Sequence, residues 1–139
     1  MAAFKGLKIG QDPITIKHWP QILKATIVRD HDRMLFEEVG VVGWGGNSGF
    51  HAVNLAAQFG AKKILLVGID FTVAYGRHWF GSHAYRQNSP SKHNVKRWQK
   101  VMDASAQVLA GRGIRVINCS PISTLQAYEK MTFEEALEC

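Results

Sequence analysis

Long apolar runs are missing from this sequence. No stretch approaches the roughly 20 residues that span a bilayer, and the opening MAAFKGLKIG has no long apolar core of the kind a secretory signal carries. A cytoplasmic protein without a membrane partner is the expectation. Cysteine is scarce as well. Cys119, at an expected strand end, and Cys139, at the last position, suggest neither a disulfide framework nor a metal cluster. Both are expected to be reduced thiols, and no metal or cofactor is called for. Internal repeats and low-complexity tracts are lacking too. What remains is a chain of 139 residues, 46% hydrophobic and 20% charged, the size and composition of one globular domain with one core.

Acidic residues are outnumbered, leaving a formal charge of +6. A positive field concentrates anions such as nucleotides, nucleic acid or phosphorylated intermediates. The densest basic group is Lys92, Lys96, Arg97 and Lys100. Such a group suits a solvated helix face or a patch turned toward phosphate. No aromatic-basic recognition motif accompanies it, so nucleic acid is the least favoured of these anions.

The chain divides into three parts: an irregular lead-in over residues 1–40, an α/β core over residues 41–128, and a short C-terminal helix within residues 129–139. In the lead-in, Asp12-Pro13 and Trp19-Pro20 break the pattern, and residues 25–28 suggest a short strand before Arg29-Asp30-His31-Asp32-Arg33. From Val41 the signals sharpen. In VVGWGGNSG, Ser48 is placed to cap a helix whose stripe Ala52, Leu55, Ala56 and Phe59 is expected to be buried, with His51, Asn54 and Gln58 on the opposite side. Gly60 stops that helix ahead of Ile64-Leu65-Leu66-Val67, a continuous apolar run that suits a strand covered on both faces. Gly68-Ile69-Asp70-Phe71 leads into a loop of about twenty residues, a length usually associated with function or mobility. Residues 91–110 read as a second helix with the stripe Val95, Trp98, Val101, Met102, Ser105 and Leu109. Residues 114–118 read as a further strand, and a last helix is expected to begin near Thr132, with Glu134 and Glu135 suited to its N-terminus.

Helix, strand, loop, helix, strand is the order of a doubly wound α/β domain, which binds ligands beyond the carboxyl ends of its strands. Four pieces map to that rim. The first is Gly45-Gly46-Asn47-Ser48-Gly49, whose glycines admit close backbone approach while the following helix offers unpaired N–H groups to an anion. It is neither a complete G-x-G-x-x-G nor a Walker loop, and a tight turn that needs glycine for conformation alone explains it too. The second is Asp70, placed to orient a sugar hydroxyl or to cap a loop. The third is His93, ahead of Arg97 and Lys100, where an imidazole with a near-neutral pKa could act as general base or simply face solvent. The fourth is Asn118, Ser120 and Ser123. The loop His78-Trp79-Phe80-Gly81-Ser82-His83 lacks a third zinc ligand and suits an aromatic lid or ordinary packing, while Asp30-His31-Asp32 matches a D-x-D metal site only through residue types common enough to arise by chance.

The series Asn47-Ser48-Gly49, Ala52, Leu55-Ala56, Gly60, Gly68-Ile69-Asp70-Phe71, His93, Gly113-Ile114 and Cys119-Ser120-Pro121 resembles the C-terminal half of a Rossmann-like group. That group includes uncharacterised phage and prophage proteins, hydroxymethylpterin pyrophosphokinase-like proteins and bacterial lipooligosaccharide sialyltransferases. The resemblance covers roughly residues 40–128. It implies a three-layer Rossmann-like domain with a mostly parallel sheet, shortened at its N-terminus because no Gly-x-Gly-Pro-Ser-type turn precedes residue 40. For the site it implies His93 as general base, Tyr75 or Tyr85 on a nucleotide phosphate, and Arg97, Asn118 and the glycine turn holding the donor, without a metal. A shortened sheet also implies an open edge, and so self-association. Two functions follow as expectations: nucleotide or nucleotide-sugar binding with glycosyltransferase-like activity, or a non-catalytic phage-derived remnant or assembly protein that keeps the fold.

Overall fold

The computed structural model describes residues 4–76 and 90–139. Strand β1 (Ile9–Gly10), helix α1 (Pro13–His18) and strand β2 (Leu23–Lys24) form a small parallel unit. Asp12-Pro13, expected to break structure, instead opens α1. The Asp12 carboxylate accepts the Thr15 N–H at 2.8 Å, and proline in the first turn gives up an N–H that a helix cannot use there.

Strand β3 (Thr26–Val28) pairs in parallel with β4 (Val41–Gly43), so hydrogen bonding crosses residue 40. Helix α2 (Ser48–Gln58) follows, then β5 (Lys63–Leu66), α3 (Lys92–Gly111), β6 (Arg115–Asn118), β7 (Glu129–Lys130) and α4 (Phe133–Glu138). β6 lies between β5 and β7, parallel to both. The chain is therefore mixed α/β with parallel pairing, carried in three small sheets among the described residues. No helix among those residues is long and apolar enough to cross a membrane.

The main core lies between α2, α3 and the β5–β6–β7 sheet. Phe50, Leu66, Met102, Leu109, Val116 and Leu125 meet there. Each such side chain, taken fully out of water, contributes about 1.5–3 kcal/mol. The stripe expected on α3 is buried at Val95, Val101, Met102, Ser105 and Leu109, with Trp98 half-buried at its upper end. Tyr128 also enters this core. Its hydroxyl donates to the Met102 carbonyl at 2.5 Å, and burial raises its pKa above the usual phenol range.

Helix α2 corrects the expected orientation. Its buried residues are Phe50, His51, Val53, Asn54 and Ala57, whereas Ala52 and Phe59 are exposed. The polar side His51, Asn54 and Gln58 is turned inward because residues 35–44 run alongside it and present backbone groups of Leu35, Gly40, Val41 and Trp44 that these side chains bond. Asn54 accepts the Leu35 N–H at 3.0 Å and donates to the Leu35 carbonyl at 2.8 Å. Gln58 accepts the Gly40 N–H at 2.9 Å and donates to the carbonyls of Leu35 and Val41 at 2.8 and 2.7 Å. His51 Nε2 lies 2.7 Å from the Trp44 carbonyl. Buried backbone donors and acceptors need partners, and here side chains supply them. Of the apolar run expected to form a covered strand, β5 buries Leu66 and half-buries Ile64 and Leu65, while Val67 lies past the strand end and is exposed.

Candidate functional site

Gly45 and Gly46 connect β4 to α2 with φ of +48° and +79°, the left-handed region that glycine enters without steric cost. Space is as demanding as conformation. A Cβ on Gly46 would stand 2.6 Å from Trp98 Nε1 and closer still to Arg97 Nη1, and one on Gly45 would overlap the Phe50 ring. The missing side chain at Gly46 thus lets α3 descend onto the turn, and the one missing at Gly45 leaves room for the Phe50 ring of α2.

The cap of α2 is Asn47, one residue earlier than the expected Ser48. Its Oδ1 accepts the Phe50 N–H at 2.9 Å, while its Nδ2 donates to the Gly45 carbonyl at 3.2 Å. Asn47 is therefore occupied in holding the turn. The N–H groups of Ser48 and Gly49 have no acceptor among the described residues. They stand at the positive end of an eleven-residue helix, where an anion is favoured.

Two clefts open on this turn. The larger, about 420 Å³, is lined by Trp44, Gly46, Asn47, Ser48, Arg97 and Trp98 among others. The smaller, about 280 Å³, includes Asn47, Ser48, Gly49, Asp70, Phe71 and Trp98. Asn47, Ser48 and Trp98 belong to both walls. The glycine turn, Arg97 and Asp70, all expected at the rim, are thus brought together.

The Asp70 loop is held from below by the segment after β6. Ser120 Oγ accepts the Gly68 N–H at 2.7 Å, Ser123 Oγ donates to the Ile69 carbonyl at 2.7 Å, and the Thr124 N–H donates to the Asp70 carbonyl at 2.9 Å. Those bonds hold Phe71 at φ +48°, a backbone conformation that costs a non-glycine residue about 1–3 kcal/mol and is concentrated at functional sites. Phe71 packs against Trp98, with ring centroids 6.4 Å apart. The Asp70 carboxylate itself makes no hydrogen bond among the described residues.

Arg97 is not a free cation. Its Nη2 contacts both Asp32 carboxylate oxygens, at 2.6 and 2.5 Å, and both side chains remain more than a third exposed. Within Asp30-His31-Asp32, then, one carboxylate serves an arginine. No group of three His, Cys, Asp or Glu among the described residues is arranged to hold a metal ion.

Other expected site residues lie elsewhere. His93 is exposed and lines neither cleft. Tyr75 is 78% exposed and lines neither. Asn118 and Ser120 border a third cleft, formed with residues 130–135. Tyr85 and the His78 to His83 run fall outside the described residues.

Trp44 and Trp98 are additions that the sequence did not single out as site residues, and Asp32, weighed there only within a metal motif, enters instead as the partner of Arg97. Trp98 sits in a helical stripe that reads as core, and only the fold brings its indole over Gly46. Trp44 is covered by Arg29, whose guanidinium carbon lies 4.5 Å from the ring centroid. The arrangement joins two free amides, a screened arginine, a carboxylate and two indoles, which suits an anionic ligand with a flat or apolar portion. No protein-family model, curated protein or solved structure matches the chain.

Proposed function

We infer that this chain binds a nucleotide or nucleotide-sugar across the two clefts over the glycine turn. The observation carrying this reading is that Ser48, whose amide is unpaired, and Trp98 line both clefts, with Arg97 on the wall of the larger and the unpaired Gly49 amide on the wall of the smaller. A phosphate would take those amides and draw Arg97 from Asp32. An exposed ion pair is worth only about 0–1 kcal/mol, so the exchange costs little. Trp44 and Trp98 would supply the apolar surfaces on which a base stacks. Asp70 would meet a ribose or sugar hydroxyl. A Rossmann-like three-layer arrangement, in which the three sheets are pieces of one parallel layer, accords with a ligand at these strand ends.

A transfer step is left out of this function, because His93, the expected base, lines neither cleft. Thermal-shift and calorimetric titrations with nucleoside mono- and diphosphates and nucleotide sugars test binding directly, since a ligand that prefers the folded state raises its apparent stability by mass action. Arg97→Ala should weaken binding about 10- to 150-fold, the loss expected for a charge-assisted hydrogen bond, whereas His93→Ala should leave it unchanged. Absence of any shift at millimolar ligand favours the alternative, a non-catalytic remnant or assembly protein that retains the fold.

A further inference from the structure

A further cleft, larger than the two over the glycine turn, lies apart from them. About 540 Å³ in volume, it is bordered by the end of β6, the end of β7 and the start of α4. Pro121, Met131, Phe133 and Cys119 form its less polar walls. Asn118, only 1% exposed, also lines it.

The Asn118 amide is oriented by one side only. Its Oδ1 accepts the Ser120 N–H at 3.1 Å, which fixes the oxygen and leaves Nδ2 as the free end. That Nδ2 is buried and has no hydrogen-bond partner among the described residues. A buried donor without an acceptor costs about 1–3 kcal/mol, and a ligand acceptor that reached Asn118 through the cleft would remove that cost. Other polar groups nearby are engaged. Lys130 Nζ donates to the Ser123 carbonyl at 2.9 Å, and Glu135 is tied to Thr132 in the α4 cap. Lys130 against Glu134 and Glu135 leaves the rim without the positive excess that an anion would require.

We propose that this cleft is a second binding site, independent of the glycine turn, for a small neutral molecule carrying a carbonyl acceptor on a flat or apolar body. The carbonyl takes the Asn118 Nδ2 donor, and the body lies against Pro121, Met131 and Phe133. Uracil and nicotinamide present that chemistry, while benzoate presents the same size with a negative charge.

Cys119 reports occupancy because it lines the cleft, whereas Cys139 does not and can be removed. In a Cys139→Ser chain, uracil or nicotinamide should slow alkylation of Cys119 by iodoacetamide in a saturable way and shift the Asn118 side-chain amide resonance. Asn118→Asp keeps an acceptor for the Ser120 N–H but loses the donor, and should weaken protection about tenfold or more. Phe133→Ala, on the exposed wall, should weaken it severalfold with the fold intact, even if a buried carboxylate in place of Asn118 proves too costly for folding. Equal protection in either variant, no protection at millimolar uracil and nicotinamide, or stronger protection by benzoate overturns the proposal.

Discussion

The contact between α2 and residues 35–41 makes a quantitative claim about stability. Asn54 is fully buried, accepting the Leu35 N–H and donating to the Leu35 carbonyl, while Gln58 donates to that same carbonyl. Asn54→Leu therefore orphans the Leu35 N–H but leaves the carbonyl one partner. An unsatisfied buried donor costs about 1–3 kcal/mol and a lost net hydrogen bond about 0.5–1.5, giving roughly 2–4 kcal/mol. Gln58→Leu should cost less, about 1–2 kcal/mol, because Gln58 is only half-buried and water can replace part of its role. The two losses should not add. Only the double variant strips the Leu35 carbonyl of both donors, so its cost should exceed the sum by at least about 0.5 kcal/mol. Urea unfolding followed by tryptophan fluorescence measures all three. An Asn54→Leu loss below about 0.5 kcal/mol, the range of ordinary surface changes, or strict additivity would refute the reasoning.

Three further outcomes are expected. Gly46→Ala places a Cβ against Arg97 and Trp98 at φ +79°; it should lower stability by about 1–2 kcal/mol from backbone strain alone and alter tryptophan emission, both readable in one denaturation series. Asp32→Asn frees Arg97, so affinity for nucleoside diphosphates should rise up to about fivefold, the equivalent of a surface ion pair, and Arg97→Ala in that background should erase the gain when measured by calorimetry. Burial holds the His51 pKa below the usual 6.5, although its bond to the Trp44 carbonyl partly opposes this. The unfolded chain then binds the proton more readily, so the stability tied to neutral His51 is complete above pH 6.5 and is lost as pH falls through the depressed value. Unfolding free energies of wild type and His51→Gln should diverge in slope below pH 6.5, and parallel curves would contradict a buried neutral imidazole.

Local chemistry was legible where it acts over a few residues. The apolar spacing of α3, the Thr132 start of α4 and the glycine turn at the head of α2 all follow from side chains three or four positions apart or from backbone conformations that glycine favours. The inner side of α2 was not legible in the same way. Periodicity shows that a helix has two sides, and hydrophobicity usually tells which is inside. Here backbone groups of Leu35, Gly40 and Val41 draw Asn54 and Gln58 inward. The site shows the same limit: Gly46, Asp70 and Arg97 were each marked by residue type or position, whereas the reach of Asp32 across 65 positions to Arg97 has no local signature.

The amino-acid sequence by itself determined the α/β character of this chain, the glycine turn ahead of α2 and the amphipathic stripe of α3, because these depend on short-range sterics and periodic burial. Tertiary structure alone decided that Trp98 and Arg97 settle over Gly46, that Asp32 holds the arginine, and that His93 stays outside while Asn118 lines a different cleft. Those outcomes depend on which distant backbone groups and charges meet when the layers pack, and no spacing along the chain encodes that meeting.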